Sequence, residues 1–256
     1  SNIYEEEQKG SEYIMKEKLK KHFSSQAKRL KTEGNVFGYV FWWVARLMMI
    51  FAVFYTKSRV APALYLAICL NTLATFAVTL LSALFPQKIF LGRLSFKIQC
   101  YIDLFILLGS FFCYCVNMYA VINDYDKIQH FLAGFLGCFL GMELLKTMFP
   151  KLEIDRRVAF VGGSGFSFAL IVIWECFEFL ADFFIPGSNN QGYTYGANPD
   201  MIFFKIFGLG AQNEGQTAVY DTMFDMLFAL FGIIVAAVGF CVVYKIRKGK
   251  EKKINS

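Results

Sequence analysis

Charge is what this sequence has little of. Only 18% of its 256 residues are charged, while 56% are apolar and 18% aromatic. Soluble domains usually hold about a quarter charged and about 45–50% apolar residues. The shortage argues against a soluble enzyme and against a disordered chain. Cysteine is missing where a secreted scaffold would need it. All seven (Cys69, Cys100, Cys113, Cys115, Cys138, Cys176 and Cys241) fall inside or at the ends of apolar runs, which excludes a disulfide framework in the loops. They read as small buried apolar residues. The runs also lack evident Gly/Pro interruptions, the usual mark of the broken helices in transporters, and no internal repeat is visible. Gly162-Gly163-Ser164-Gly165 has neither the Lys nor the Ser/Thr of a phosphate loop and reads as a packing element.

What is present is apolar length. Six stretches hold the roughly 20 residues needed to cross a bilayer: 39–56, 62–85, 98–122, 128–149, 158–185 and 220–244. They predict an all-α, polytopic helical bundle. The remaining segments form a Lys/Glu-rich arm (1–36) expected to be a solvated cytosolic helix, a membrane domain (37–245), and a basic tail (246–256). Ser1-Asn2, without Met, reads as an expression remnant. No cleavable signal peptide is visible, so the first span is expected to direct membrane insertion. Twenty of the 26 Lys and Arg fall on the side of the N-terminus and four on the other. By the positive-inside rule both termini are cytosolic, in a bacterial cytoplasmic membrane. The net charge of +6 is then topological and implies no nucleic-acid partner.

Ionisable groups inside a bilayer need a partner, water or a function. Here they gather at three outward helix ends. Span four opens with Asp124, Asp126 and His130, span five closes with Glu175, Glu178 and Asp182, and span six opens with Asp221 and Asp225. The spacings place Asp126 with His130, and Asp221 with Asp225, one turn apart on one helix face, and align the three acids of span five in a stripe. At about 1.5 Å per residue, Glu175 lies roughly 15 Å deep. Carboxylates so close together in low dielectric require cations or shared protons. The metal-ligand candidates are Asp126, His130, Glu178, Asp182, Asp221 and Asp225, with Glu175 and His130 as candidate acid/base groups. The ion would be Mg²⁺, Mn²⁺ or Zn²⁺, and no organic cofactor is indicated. Acids at helix ends can also simply reach water, and Asp124 and Asp221 could be N-caps.

An inner polar layer comprises Arg46, Asp103, Glu143 and Lys146. Arg46 needs a carboxylate partner, for which Asp103 and Glu143 lie at matching depth. A structural ion pair is favoured over a relay, and Lys146 is expected to snorkel to the surface. Loop 186–219, rich in Gly and Asn, is a candidate lid over the outer site. Gly137 and Gly141 allow close helix packing.

The segments Asp126-Lys127-x-x-His130-Phe131 with Gly134 and Glu143, Glu175/Glu178, and Asp221-Thr222-x-x-Asp225-Met226 resemble the YjdF-like bacterial membrane proteins. More remotely they resemble the VanZ-like group associated with teicoplanin resistance. The resemblance covers roughly 98–239 and implies the membrane architecture without an established reaction or cofactor. Three functions remain open. The first is a metal-dependent site acting on a lipid-linked or phosphate-bearing envelope substrate. The others are a non-catalytic binder of lipid-linked intermediates and a cation- or proton-coupled transporter. Membrane lipids are partners in each.

Overall fold

A computed structural model describes residues 2–122, 124–185, 190–191 and 214–254. Among these no strand occurs. Six helices are long and apolar enough to cross a membrane: Val36–Thr56, Leu64–Leu84, Phe96–Cys115, Tyr125–Met148, Arg156–Phe184 and Ala218–Lys250. The polarity is that of a membrane protein. Phe183 and Val161 are 72% and 71% exposed, whereas Gln99, Asp103 and Asp225 are 0–1% exposed. Apolar side chains face the surroundings and polar ones face inward. Cys176 and Cys241 are exposed on outward faces, and the seven cysteines are free thiols, so the expectation of burial holds for only some of them.

The chain forms two compact units, Ser1–Phe111 and Phe112–Ser256. The first contains helices α1 (Asn2–Glu33), α2 (Val36–Thr56), α3 (Pro62–Leu84) and α4 (Phe96–Ile106). A π-helical stretch, Leu107–Cys115, follows α4 and contains the division between the units. The expected third span ran to Ile122, but the helix stops at Cys115. Asn117 adopts the left-handed conformation (φ 56°, ψ 46°), which Asn tolerates better than most residues, and only a short turn of helix, α5 (Met118–Val121), follows.

The arm α1 is helical as expected, yet one of its faces is engaged rather than solvated. His22 Nε2 lies 2.7 Å from the Ala83 carbonyl. Arg29 donates to the carbonyls of Gly92 (2.5 Å) and Leu94 (3.1 Å) and to Ser82 Oγ (2.6 Å). Glu33 accepts from the Phe96 backbone N–H at 2.9 Å. The end of α3 and the start of α4 leave backbone groups without partners inside their own helices. The arm supplies those partners. In the same unit, Arg46 is 2% exposed and its Nε lies 3.4 Å from Asp103 Oδ2. Its Nη2 donates to the Thr75 carbonyl (2.5 Å) and Thr79 Oγ1 (2.7 Å), and its guanidinium lies 3.6 Å above the Trp42 ring. Glu143 belongs to the second unit and pairs with Lys146 on its own helix at 3.0 Å.

The second unit comprises α5, α6 (Tyr125–Met148), α7 (Arg156–Phe184) and α8 (Glu214–Ile254). Its central helix, α6, packs on both α7 and α8. Small residues make this possible. A Cβ on Gly134 would collide with the backbone carbonyl of Ala229, and one on Gly141 would come within 2.7 Å of the Gly163 Cα. Ser167 Oγ donates to the Gly134 carbonyl at 2.9 Å. Backbones therefore approach as closely as small residues permit, and van der Waals contact holds the helices in lipid. Beyond the seam, Cys138, Met142, Ala159, Phe160 and Ala236 form the buried core.

Gly134→Ala should force α6 and α8 apart, at a cost of about 1–3 kcal/mol as for other overpacked sites. Gly165, with open space around its Cβ position, is the control. Thermal unfolding in detergent should show a lowered Tm for Gly134→Ala and none for Gly165→Ala.

Candidate functional site

The seam sets the register of the helix ends that carry the acids. Four residues before the contact between Gly134 and Ala229, α6 carries His130 and α8 carries Asp225. The contact of Gly137 with Ser167 likewise brings Glu175, eight residues further along α7, to the level of His130. The side chains then meet. Lys127 Nζ lies 2.6 Å from Asp221 Oδ1, 2.7 Å from Asp225 Oδ1 and 3.2 Å from Asp126 Oδ2. His130 Nε2 is 3.7 Å from Asp126 Oδ1 and 3.8 Å from Asp225 Oδ1, while Nδ1 is 3.6 Å from Glu175 Oε1. These imidazole distances are too long for hydrogen bonds.

Burial makes the arrangement costly. Lys127, His130, Glu175 and Asp225 are 4%, 5%, 5% and 1% exposed. Three carboxylates (Asp126, Asp221 and Asp225) contact one ammonium and a fourth, Glu175, faces His130, so acids outnumber cations and the balance falls to protons or a further cation. Several atoms lack hydrogen-bond partners: His130 Nδ1, both Glu175 carboxylate oxygens and Asp225 Oδ2. Buried polar atoms are normally paired, and four open ones in a single cluster indicate room for a further cation, proton or water. Asp126, His130 and Asp225 each offer one ligand atom, all within 4.8 Å of one another. These three could hold a metal ion.

A family model described as "Predicted membrane protein (DUF2238)" matches residues 39–246, most of the chain. The chain belongs to this family of membrane proteins. No curated protein and no solved structure matches it. The family match spans all the clustered residues and leaves α1 outside.

The site predicted from sequence is only partly assembled. Asp126, His130, Glu175, Asp221 and Asp225 converge. Glu178 instead accepts from Trp174 Nε1 at 2.8 Å, one turn away on α7. Asp182 accepts from the backbone N–H groups of Asn190 (2.7 Å) and Gln191 (2.8 Å), and Gln191 Nε2 reaches Thr222 Oγ1 at 2.9 Å. Asp182 thus ties the chain beyond α7 to α8 beside the cluster. Of the two possible N-caps, Asp124 does stand at the N-cap position of α6, without a side-chain capping bond, whereas Asp221 lies seven residues inside α8. The candidate lid, 186–219, lies largely outside the described residues. Lys127, named in the sequence only within the Asp126-Lys127-x-x-His130 motif, was not among the expected site residues. Its spacing carried a signal: three residues before His130 it must share that residue's helix face.

Removing one member of a buried ion pair leaves an uncompensated charge and typically costs about 3–5 kcal/mol. Lys127→Met should therefore lower stability by about this amount, and Lys127→Met with Asp221→Asn should recover part of the loss. Chemical unfolding of the two variants beside wild type checks both.

Proposed function

We propose that the second unit carries a divalent-cation centre on the outer side of a bacterial cytoplasmic membrane, acting on a lipid-linked or phosphate-bearing substrate. The observation that carries this reading is the convergence of Asp126, His130 and Asp225 within 4.8 Å, in a buried cluster where acids outnumber cations. The His130 Nε2 separations of 3.7 and 3.8 Å from two carboxylate oxygens are close to the roughly 3.4 Å expected between ligands sharing one ion at about 2.1 Å. Imidazole with two carboxylates suits Zn²⁺ or Mn²⁺ better than Mg²⁺, which prefers oxygen ligands. Three protein ligands also leave a coordination position for a substrate.

Glu175 stands 3.6 Å from the other imidazole nitrogen, where a carboxylate closing to hydrogen-bond distance on metal binding would fix the ring's tautomer and turn Nε2 toward the ion. It also remains the candidate proton acceptor. When bound, the ion would supply Lewis-acid polarisation of a phosphate oxygen. The exposed aromatics of α7 near this end, Trp174, Phe177 and Phe183, offer an apolar surface for acyl or prenyl chains. Kinship with YjdF-like and VanZ-like proteins is part of the same proposal. It is supported by the way the Asp126-Lys127-x-x-His130 and Asp221-x-x-x-Asp225 segments meet in one cluster. Glu143, paired with Lys146, offers little support for an inward relay, so transport is the weaker reading.

Metal analysis of the purified full chain after loading with Mn²⁺ or Zn²⁺ should find about one ion per chain in wild type. Asp225→Asn should lose it while keeping its helical circular dichroism and elution volume. Glu175→Gln should weaken affinity by about 10–100-fold, as removal of an orienting carboxylate does. Native mass spectrometry should show a co-purifying lipid phosphate. Wild type without any bound divalent ion after loading would overturn the reading.

A further inference from the structure

We infer that Lys127 is a built-in competitor of the metal: its ammonium holds the Asp225 oxygen that faces His130, and an entering ion displaces it from Asp225 toward Asp221. The inference rests on the cation-centre reading above. Lys127 Nζ lies 2.7 Å from Asp225 Oδ1, whereas on Asp126 it touches Oδ2 (3.2 Å) rather than the Oδ1 nearer His130. The Asp225 oxygen that Lys127 holds is the one nearest His130 Nε2. An ion bonded to that oxygen at about 2.1 Å would lie within about 5 Å of the ammonium. Like charges at that separation in a buried site repel strongly, so both cannot hold Asp225 at full strength.

The structure also provides a place for the displaced charge. Asp221 already accepts from Lys127 at 2.6 Å. Its side chain is 19% exposed against 1% for Asp225, and it lies one turn nearer the start of α8. The four-carbon lysine stem can swing by this distance. Glu175 and Asp225 Oδ2 point to the second cation independently. Both residues are more than nine-tenths buried, and their oxygens stay unpartnered while Lys127 is in place. Lys127 therefore stabilises the site without metal and weakens it for metal. By linkage, any anion that draws the lysine outward tightens the metal.

The test is calorimetric titration of the detergent-solubilised full chain with Mn²⁺ and with Zn²⁺. Lys127→Gln should bind at least tenfold more tightly than wild type, and Lys127→Arg, which keeps the charge, should stay within about threefold of it. Because Lys127→Gln alone leaves buried carboxylates uncompensated, Lys127→Gln with Asp221→Asn is the decisive variant. It removes one charge of each sign and keeps Asp126, His130, Glu175 and Asp225. It should also bind at least tenfold more tightly, and adding Asp225→Asn should abolish that binding. Unchanged or weaker affinity in the double variant, with wild type still binding, overturns the competition and leaves the cation centre standing. Absence of binding in wild type and the double variant alike overturns both.

Discussion

Between α6 and its two neighbours there is no room for a side chain at Gly134 or Gly141, and the meeting of the three helix ends at the acidic cluster depends on that contact. In lipid, apolar surface gains little by leaving its surroundings, so helices associate through close packing and hydrogen bonds. The glycines let α7 and α8 reach α6 at backbone distance, and Ser167 adds a hydrogen bond to the Gly134 carbonyl. Helices in such contact cannot slide by a residue without collision. Their acid-bearing ends are therefore held in one register, with His130, Glu175 and Asp225 at one level.

That register concentrates charge. Asp126, Asp221 and Asp225 share the ammonium of Lys127, while Glu175 stands unpartnered behind His130. An arrangement built only for stability would pair each acid or replace it with an apolar residue, since buried ion pairs seldom stabilise more than good packing does. The cluster keeps its surplus of acids where α6, α7 and α8 meet. The ion pair of Arg46 and Asp103 in the first unit differs. There the guanidinium is also held by Thr75, Thr79 and the Trp42 ring, as a packed structural group would be.

Much of this was legible in the residues and some was not. Hydropathy located all six spans within a few residues, except that Asn117 ends the third early. The spacing of Asp126 with His130, and of Asp221 with Asp225, correctly placed each pair on one face. Glu178 and Asp182 carried the same kind of signal but turn elsewhere. Glu178, three residues beyond Glu175, is taken instead by the indole N–H of Trp174 one turn back on α7. Asp182 lies at the end of α7, where backbone N–H groups compete for its carboxylate. Lys127 went unnoticed because its partners, Asp221 and Asp225, come more than ninety residues later. The arm's engaged face was hidden for a related reason: the groups it satisfies are helix ends some sixty residues away.

The sequence by itself determined the membrane character, the all-α class, the number of spans and which helix ends carry acids. These depend on apolar length and on the 3.6-residue period, both properties of a short stretch of chain. Only the tertiary structure decided which acids meet, which cation they share and which atoms are left without partners. Those outcomes depend on the rotation and register of helices distant in sequence. Van der Waals contact along a glycine seam sets them, and no local pattern encodes where that seam will close.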